Sequence, residues 1–560
     1  MAARNTENPS KMLGLNHAAY TLAALVFAVQ TVLADASTRW PQPADSYAPV
    51  LTQQKCPFAG QLFPPPTVAR SAPAILAAQS ALRAQLDAAV QPGGGIEGVD
   101  VNGTFFSVAV FSAADGEEGA FFEYHYAVPG MENATGGRAL DGESVYRIGS
   151  VSKMLTVYAL LAERGDGDFG TPITDFMPDL TEGQEEADEE DEFESIRWED
   201  ITIEFLQGLN KLGAYFPAFE SPIYSNAGFR LLGYAMENMT GEPFDTTFKR
   251  TIADKLGLSA TTVTTPPDDS RGVIPNGKTA AWWGLDLGDE NPAGSIYSTT
   301  ADMTALGRSI LRSTLLPRTL TRRWLKPHSR TSDDAHHVGA PWEIASTRIP
   351  LDATSSATTR VDLYTKTGNV GAYSGHIGLD PDREWGYVVL GAGPASGAPV
   401  FYLADLAART FAPAFEAAAR AEAAQRYAGT YVSGGNGTLT LAVRPGAPGL
   451  AVTAWTANGV DVLAALAVPG LAANTSTAVT LYPARMRASG KVAFRALLEP
   501  LPNADFGGPL ESACQSWFTA DAAQIASRML DEVVVGVDEE TGRAEWVEMR
   551  AWRERYVRKE

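Results

Sequence analysis

Hydrophobic residues recur at strand and helix spacing in alternating blocks, and these blocks predict the elements of one large domain. An Ala/Leu-rich amphipathic stretch at 72–90 predicts a helix, and the apolar run at 104–112 predicts a strand whose partner lies at 120–126. Because predicted strands lie at both the N-terminal and the C-terminal side of the predicted helices, we expect these terminal strands to pair in one sheet flanked by helices, an α+β fold. The blocks that follow predict helices within 205–315, strands within 342–390 and an alanine-rich helix at 398–424.

The pattern changes near Arg426, where short alternating segments divided by glycine, proline and asparagine begin. Such segments are typical of a small β-sandwich or barrel. We therefore predict a first domain at 71–424 and a mainly β domain at 425–560. The second domain is expected to have strands at 439–443, 450–455, 478–482 and 492–499, a helix at 520–530, and two last strands near Val533 and Trp546.

The N-terminal region has the features of an export signal. A positively charged start precedes an apolar run at 18–33, which ends at an Ala34-Asp35-Ala36 cleavage pattern. The run is shorter than the roughly 20 apolar residues that a membrane span needs. We expect a signal peptide at 1–36, with an uncleaved anchor as the alternative, and a Pro-rich irregular segment at 37–70. The mature protein is then predicted to be secreted, with no stable membrane span.

Composition agrees with an exported globular protein. The formal net charge of the 560 residues is −22, and lysines and arginines form no basic stripe. This acidity favours solubility and argues against binding to nucleic acid or to anionic membranes. The most acidic run, at 182–194, is either a solvated loop or a rim of the cleft that disfavours anionic substrates.

Two features would follow from export. The chain has two cysteines, Cys56 and Cys514, and an even pair in an exported protein predicts a disulfide, with two buried free thiols as the alternative. It also has five Asn-x-Ser/Thr sequences that could accept N-linked glycans. These glycosylation candidates are Asn102, Asn133, Asn238, Asn436 and Asn474.

The strongest chemical signal is the segment Ser150-Val-Ser-Lys153 at the head of an apolar helical run that reaches about Arg164. The spacing puts a hydroxyl and an amine on one face of a helix, one turn apart. A serine hydroxyl becomes a nucleophile when a neighbouring base takes its proton. Burial of the amine beside apolar groups or other cations lowers its pKa enough to help. Alone, the pattern also fits a helix start with a solvated lysine.

Two further segments strengthen the signal. Tyr224-Ser-Asn226 lies on a predicted loop at a helix entrance and can present a phenol and an amide to a cleft. Lys366-Thr367-Gly368 opens a region that reads as two strands joined by a turn at 380–382. A cation and a hydroxyl followed by glycine suit carboxylate binding and a close approach of substrate to the backbone. Taken separately, the alternatives are a core tyrosine and an edge strand with a glycine bulge.

Ser-x-x-Lys, Tyr-x-Asn and Lys-Thr-Gly, in this order, resemble the motifs of class C β-lactamases and the related D-alanyl-D-alanine carboxypeptidases and serine esterases. The resemblance is greatest to secreted fungal β-lactamase-like proteins, and it covers nearly the whole mature chain. It implies a β-lactamase/transpeptidase-like fold with an extra C-terminal β domain. Supporting segments are 167–180, 292–302, 339–344, the Cys56-Pro57 region and Cys514 to Trp517.

The resemblance also implies a role for each site residue. Ser150 would be the acylated nucleophile, and Lys153 and Tyr224 would share its proton, the lysine's charge lowering the pKa of the tyrosine. Backbone N–H groups of Ser150 and Asn369 would form the oxyanion hole. Asn226 would bind substrate or position Lys153. Lys366 would support Tyr224 and, with Thr367 and Gly368, face a substrate carboxylate or carbonyl.

Other chemistries lack support in the sequence. The six histidines have no metal-ligand spacing, and there is no phosphate-binding loop, dinucleotide fingerprint or Gly-x-Ser-x-Gly elbow. We therefore predict no metal and no cofactor. The predicted function is a secreted serine hydrolase acting on a small ester, amide or lactam. The alternatives are an acyltransferase or transesterase of fungal secondary metabolism and a catalytically silent binding protein on the same fold.

Overall fold

A computed structural model of the chain describes residues 57–116, 119–181, 197–206, 220–466, 476–501, 516, 520–521, 524–525 and 527–560. Contacts divide the chain into two units. One unit comprises 65–351 and 358–418, and the other contains 352–357 and 419–560 together with 57–64. Within the described ranges, no helix is both long enough and apolar enough to span a bilayer. The predicted signal peptide, the acidic run at 182–194, Cys56, Cys514 and Asn474 lie outside the described residues.

The larger unit is built on an antiparallel sheet that runs in the order β2-β1-β10-β9-β8-β7-β6-β5 across the described residues, while β3 pairs with β4 separately. The first strand, β1, pairs along its length with β10, so the predicted pairing of the terminal strands is confirmed. The strands are β1 Phe105–Ser112, β2 Phe122–Tyr126, β3 Tyr146–Arg147, β4 Tyr297–Ser298, β5 Ser329–Arg330, β6 His336–Val338, β7 Glu343–Pro350, β8 Thr358–Val370, β9 Tyr373–Asp380 and β10 Trp385–Ala392.

Helices cover both faces of this sheet. The helices are α1 Pro73–Ala89, α2 Ser152–Arg164, α3 Ile203–Leu206, α4 Asn226–Thr240, α5 Phe244–Phe248, α6 Asp254–Leu256, α7 Lys278–Ala281, α8 Asn291–Gly294, α9 Thr300–Arg312, α10 Arg318–Trp324 and α11 Gly397–Tyr427. One core packs α1 and the first part of α11 on the sheet, and the other packs α2, α4 and α9 on the opposite face. Alternate residues of β1 divide between these cores, so the strand is buried throughout. This explains its continuous apolar sequence.

The region around Lys366 differs from the prediction. It forms three strands, β8, β9 and β10, where the sequence pattern predicted two joined at 380–382. The additional reversal lies between β8 and β9, where Gly371 has a φ of 56°. Glycine adopts this left-handed conformation without the steric cost that a Cβ imposes, so the chain turns there within two residues.

The strands of the smaller unit close into a barrel. The order β12-β11-β21-β20-β19-β16-β15-β13 returns to its start because β12 also pairs with β13, and the short β14 pairs antiparallel with the end of β13. Closure satisfies strand edges that an open sheet would leave unpaired. The elements are β11 Gly429–Val432, β12 Thr438–Ala442, β13 Leu450–Ala457, β14 Val460–Asp461, α12 Val462–Ala465, β15 Ser476–Ala488, β16 Lys491–Leu501, β17 Gln524–Ile525, β18 Arg528–Met529, β19 Glu532–Val537, β20 Ala544–Met549 and β21 Glu554–Arg558.

The helix predicted at 520–530 is wrong for the described residues. Strands β17 and β18 pair antiparallel there. Asp521 and Ser527 have φ values of 57° and 67°, in the left-handed region that a right-handed helix excludes. A third strand, β21, also follows the two that were predicted near Val533 and Trp546.

Candidate active site

Ser150 lies on a tight connection between a strand and a helix. Strand β3 leads through Ile148 into a single 3₁₀ turn, Gly149–Val151, and α2 begins at Ser152. The α-helix therefore starts two residues later than the sequence pattern predicted. Gly149 has a φ of 53°, and a Cβ there would stand 2.6 Å from the backbone nitrogen of Asn369. Glycine is needed at this turn both for its conformation and for the close packing that displays Ser150.

Lys153 is buried beneath Ser150, with 1% of its surface exposed. Its ammonium nitrogen lies 3.0 Å from Ser150 Oγ, 2.7 Å from Asn226 Oδ1 and 2.8 Å from the carbonyl oxygen of Ala293. Burial, followed by the charge of Lys366, lowers the pKa of Lys153 to about 7. This agrees with the expectation for an amine buried beside another cation, and it makes the neutral amine available near neutral pH.

Tyr224 approaches Ser150 from the entrance of α4. Ser225 caps this helix by accepting a hydrogen bond from the Gly228 N–H at 2.9 Å, which orients the preceding tyrosine. The phenol of Tyr224 donates to Ser150 Oγ at 2.5 Å. The Nζ atom of Lys153 lies 4.9 Å from the centre of its ring. Ser150 Oγ is thus within hydrogen-bonding distance of two groups that can exchange a proton with it.

The pKa of Tyr224 is raised, whereas the resemblance implied that the charge of Lys153 would lower it. Partial desolvation of the phenol, in a residue that is 53% exposed, is the largest cause, and the carboxylates of Glu343 and Glu290 add to it, while the hydrogen bond with Ser150 acts in the opposite direction. A phenolate is disfavoured where solvation is reduced and nearby charges are negative. Near neutral pH the phenol therefore remains protonated, and Lys153 is the better proton acceptor of the two.

The third motif reaches the site through β8. A Cβ on Gly368 would stand 2.2 Å from the carbonyl oxygen of Ile148 and 2.7 Å from the backbone nitrogen of Ser150, so the strand and the 3₁₀ turn are in direct backbone contact. Because a Cβ on Gly149 would likewise stand 2.6 Å from the Asn369 nitrogen, the backbone segments that carry the Ser150 and Asn369 nitrogens are neighbours. The side chain of Asn369 is held apart from them, accepting a hydrogen bond from Ser374 Oγ at 2.7 Å.

Lys366 and Thr367 meet a carboxylate that the sequence analysis did not assign. Glu343, the first residue of β7, forms an ion pair with Lys366 and accepts hydrogen bonds from the Thr367 N–H at 2.8 Å and from Thr367 Oγ1 at 3.1 Å. These partners hold the pKa of Glu343 below its usual range although its side chain is partly buried. Glu343 could have been found from the pairing of the two predicted strands. It lies opposite Thr365, and Thr365 precedes Thr367 by two residues on the same strand.

Two protein-family models match the chain. The family model "Beta-lactamase" matches residues 86–411, which is more than half of the chain. The chain belongs to the beta-lactamase family. A second model, "Beta-lactamase-like-like, C-terminal domain", matches residues 419–560. The predicted family and fold are therefore confirmed: a β-lactamase/transpeptidase-like fold with an additional C-terminal β domain.

Individual relatives share this organisation to different extents. A "Beta-lactamase-like protein" of Arthroderma benhamiae is 28% identical, and the match covers 90% of this chain and 96% of the relative. A "Probable hydrolase M10" of a Phoma species is 25% identical, over 65% of this chain and 68% of the relative. Among solved structures, a class C beta lactamase from Rhodobacter sphaeroides aligns with 60% of this chain and all of its own, with 18% identity and a TM-score of 0.44.

The remaining predicted sites of this beta-lactamase family member differ in accessibility. Asn133, Asn238 and Asn436 are exposed. The amide of Asn102 instead donates to the Gln91 carbonyl and to Asp100, so a glycan, which replaces one amide hydrogen, would cost at least one of these hydrogen bonds. No group of three or more His, Cys, Asp or Glu side chains suited to a metal ion occurs among the described residues.

Proposed function

We propose that the chain is a serine hydrolase that forms an acyl-enzyme on Ser150 from an ester, amide or lactam. The observation that carries the proposal is the position of Ser150 Oγ, 3.0 Å from the buried amine of Lys153 and 2.5 Å from the phenol of Tyr224. Membership of a serine hydrolase family and the hydrolase name of the Phoma relative support it. Ser150 and Lys153 belong to the consecutive 3₁₀ turn and helix α2, whereas Tyr224 precedes α4 and meets them only in the folded chain.

In the first step, neutral Lys153 accepts the hydroxyl proton as Ser150 Oγ attacks the carbonyl carbon of the substrate. The bond from oxygen to carbon forms, and the carbonyl π electrons move onto oxygen. The backbone N–H groups of Ser150 and Asn369 stabilise this oxyanion. When the intermediate collapses, the bond to the leaving group breaks, and the leaving group receives the proton that Lys153 took from Ser150, either directly or relayed through Tyr224.

The second step returns the enzyme to its starting state. Water attacks the acyl carbonyl carbon while Lys153, directly or through Tyr224, accepts a proton from it. The ester bond to Ser150 Oγ breaks, the oxygen regains its proton, and the free acid departs. Asn226 contributes by accepting a hydrogen bond from Lys153 at 2.7 Å, which holds the amine toward the serine.

Covalent labelling tests this proposal. Purified protein is treated with a fluorophosphonate and with a p-nitrophenyl ester, and the adduct is located by peptide fragmentation, which distinguishes Ser150 from its neighbour Ser152. We expect the label on Ser150 and a loss of kcat of at least about 10⁴-fold in Ser150→Ala. Label on another residue, or full esterase activity in Ser150→Ala, would refute the proposal. An acyl-enzyme that water leaves intact but an added alcohol discharges would indicate acyl transfer in place of hydrolysis.

We also propose that the protein is secreted and processed. The N-terminal signal pattern supports this, as do three exposed glycosylation candidates in the described residues. Expression in a fungal host, N-terminal sequencing of protein from the medium and glycosidase treatment test it. A mature start near residue 37 and a fall in mass after glycosidase treatment are expected. Retention of the full N-terminus in a membrane fraction would contradict it.

A further inference from the structure

The polar groups of β8 next to the nucleophile already bind a carboxylate that belongs to the chain. The Glu343 carboxylate accepts a hydrogen bond from the Lys366 ammonium, one from the Thr367 backbone at 2.8 Å and one from the Thr367 hydroxyl at 3.1 Å. Strand β7 begins at Glu343, which pairs with Thr365 of β8. Beyond this pair β8 continues without β7 beside it, and the Glu343 side chain accepts hydrogen bonds from the next two residues of β8, Lys366 and Thr367. Charge-assisted hydrogen bonds of this kind are the strong ones.

These donors lie where a substrate would meet them. Gly368, the next residue along β8, touches the backbone of Ser150. The ammonium of Lys366 lies 5.3 Å from the centre of the Tyr224 ring, on the same side of the sheet as the nucleophile. A carboxylate attached to the acyl part of a substrate would be bound by this same cation and hydroxyl if they were free.

Glu343 is also placed to meet the substrate first. The side chain of Lys366 is 1% exposed, whereas that of Glu343 is 35% exposed. An incoming group can therefore contact the Glu343 side chain, whereas the ammonium of Lys366 is shielded from solvent. A second carboxylate would have to displace Glu343 from three hydrogen bonds or lie beside a like charge, and juxtaposed like charges disfavour binding strongly.

We propose that Glu343 makes this site selective for neutral acyl groups, so that the substrates are esters or amides without a carboxylate near the scissile carbonyl. The inference rests on the proposed function and deepens it. Of the two expectations for Lys366 and Thr367, that they face a substrate carboxylate or a carbonyl, the inference argues against the first. Glu343 is a specificity residue here, and it acts by occupying the donors and by its charge.

A pair of isosteric esters tests the selectivity. p-Nitrophenyl valerate ends in a methyl group where mono-p-nitrophenyl glutarate has a carboxylate, and the two have the same leaving group. With wild-type protein at high salt, which screens the general repulsion from a net charge of −22, we expect kcat/KM for the valerate to exceed that for the glutarate by about 100-fold. In Glu343→Gln the ratio should fall at least tenfold, with a rise in kcat/KM for the glutarate.

The matched control is Glu290→Gln. Glu290 is a second carboxylate close enough to raise the pKa of Tyr224 and Lys153, but its ion pair is with Arg230, not with Lys366. Its removal should leave the ester ratio within about threefold, because charge at a distance affects both esters through the same proton transfer. Valerate turnover in each variant reports that the protein is folded.

The outcomes separate the two proposals. Equal kcat/KM for the two esters in wild type, or equal changes of the ratio in Glu343→Gln and Glu290→Gln, would overturn the selectivity inference while leaving the serine hydrolase proposal intact. If both esters are hydrolysed no faster by wild type than by Ser150→Ala, the proposed function fails and the inference fails with it.

Discussion

The lowered pKa of Lys153 gives a pH profile that a single substitution should move. Burial and the nearby charge of Lys366 lower this pKa from 10.5 to about 7, because both penalise the ammonium form. If neutral Lys153 is the base, kcat/KM rises with pH and levels off above a midpoint near 7. Lys366→Met removes one of the two causes, so the protonated form of Lys153 becomes more favourable and the midpoint moves to higher pH.

The structure sets the size of this shift. The two ammonium nitrogens lie 4.9 and 5.3 Å from the centre of the same Tyr224 ring, so they are at most about 10 Å apart. At an effective dielectric constant of about 20, two charges at that distance interact by about 1.7 kcal/mol, on the order of one pH unit. The carboxylate of Glu343 raises the pKa of Lys153 in wild type and in Lys366→Met alike, so the shift measures the loss of the Lys366 charge.

The assay is kcat/KM for a neutral p-nitrophenyl ester as a function of pH, which reports the free enzyme. The double variant Lys366→Met with Glu343→Gln removes the whole ion pair and should return the midpoint toward that of wild type. Circular dichroism of each variant checks the fold. A wild-type midpoint near 10, or an identical midpoint in Lys366→Met, would refute the assignment of the base and of its electrostatic cause.

Two further outcomes follow from the same geometry. Gly368→Ala should reduce kcat/KM by roughly 100-fold, because its Cβ would displace the 3₁₀ turn that carries Ser150. Gly375→Ala is the control and should reduce kcat/KM much less, because its Cβ would stand 3.2 Å from the Ile148 carbonyl oxygen. Equal losses in the two variants would contradict the role of this backbone contact. In urea unfolding of wild type, the free energy of unfolding should rise between about pH 7 and 10, with Lys153 contributing up to about 1.4 kcal/mol per pH unit. The reason is that in this range Lys153 keeps its proton in the unfolded chain but has lost it in the folded chain. Lys153→Met should lack that slope, and an unchanged slope would show that the amine is not responsible.

The linear sequence was sufficient for much of the fold and for the identity of the reacting groups. Apolar alternation and helical periodicity are local properties, so they predicted the sheet of β1 and β10 with its covering helices and the mainly β C-terminal region. These patterns were insufficient to predict turns and helix ends that depend on the backbone conformation of a single residue. Gly371 turns the chain between β8 and β9, and Asp521 and Ser527 stop a helix, through left-handed backbone angles that periodicity does not report.

The candidate site divides in the same way. Short motifs named Ser150, Lys153 and Tyr224, because chemistry requires those side chains whatever surrounds them. Their protonation was decided by tertiary structure, since burial and neighbouring charges depend on segments far apart in the chain. The carboxylate of Glu343 illustrates this most clearly. It lies 23 residues before Lys366 and belongs to no motif, and only the pairing of β7 with β8 places it on the donors of the site.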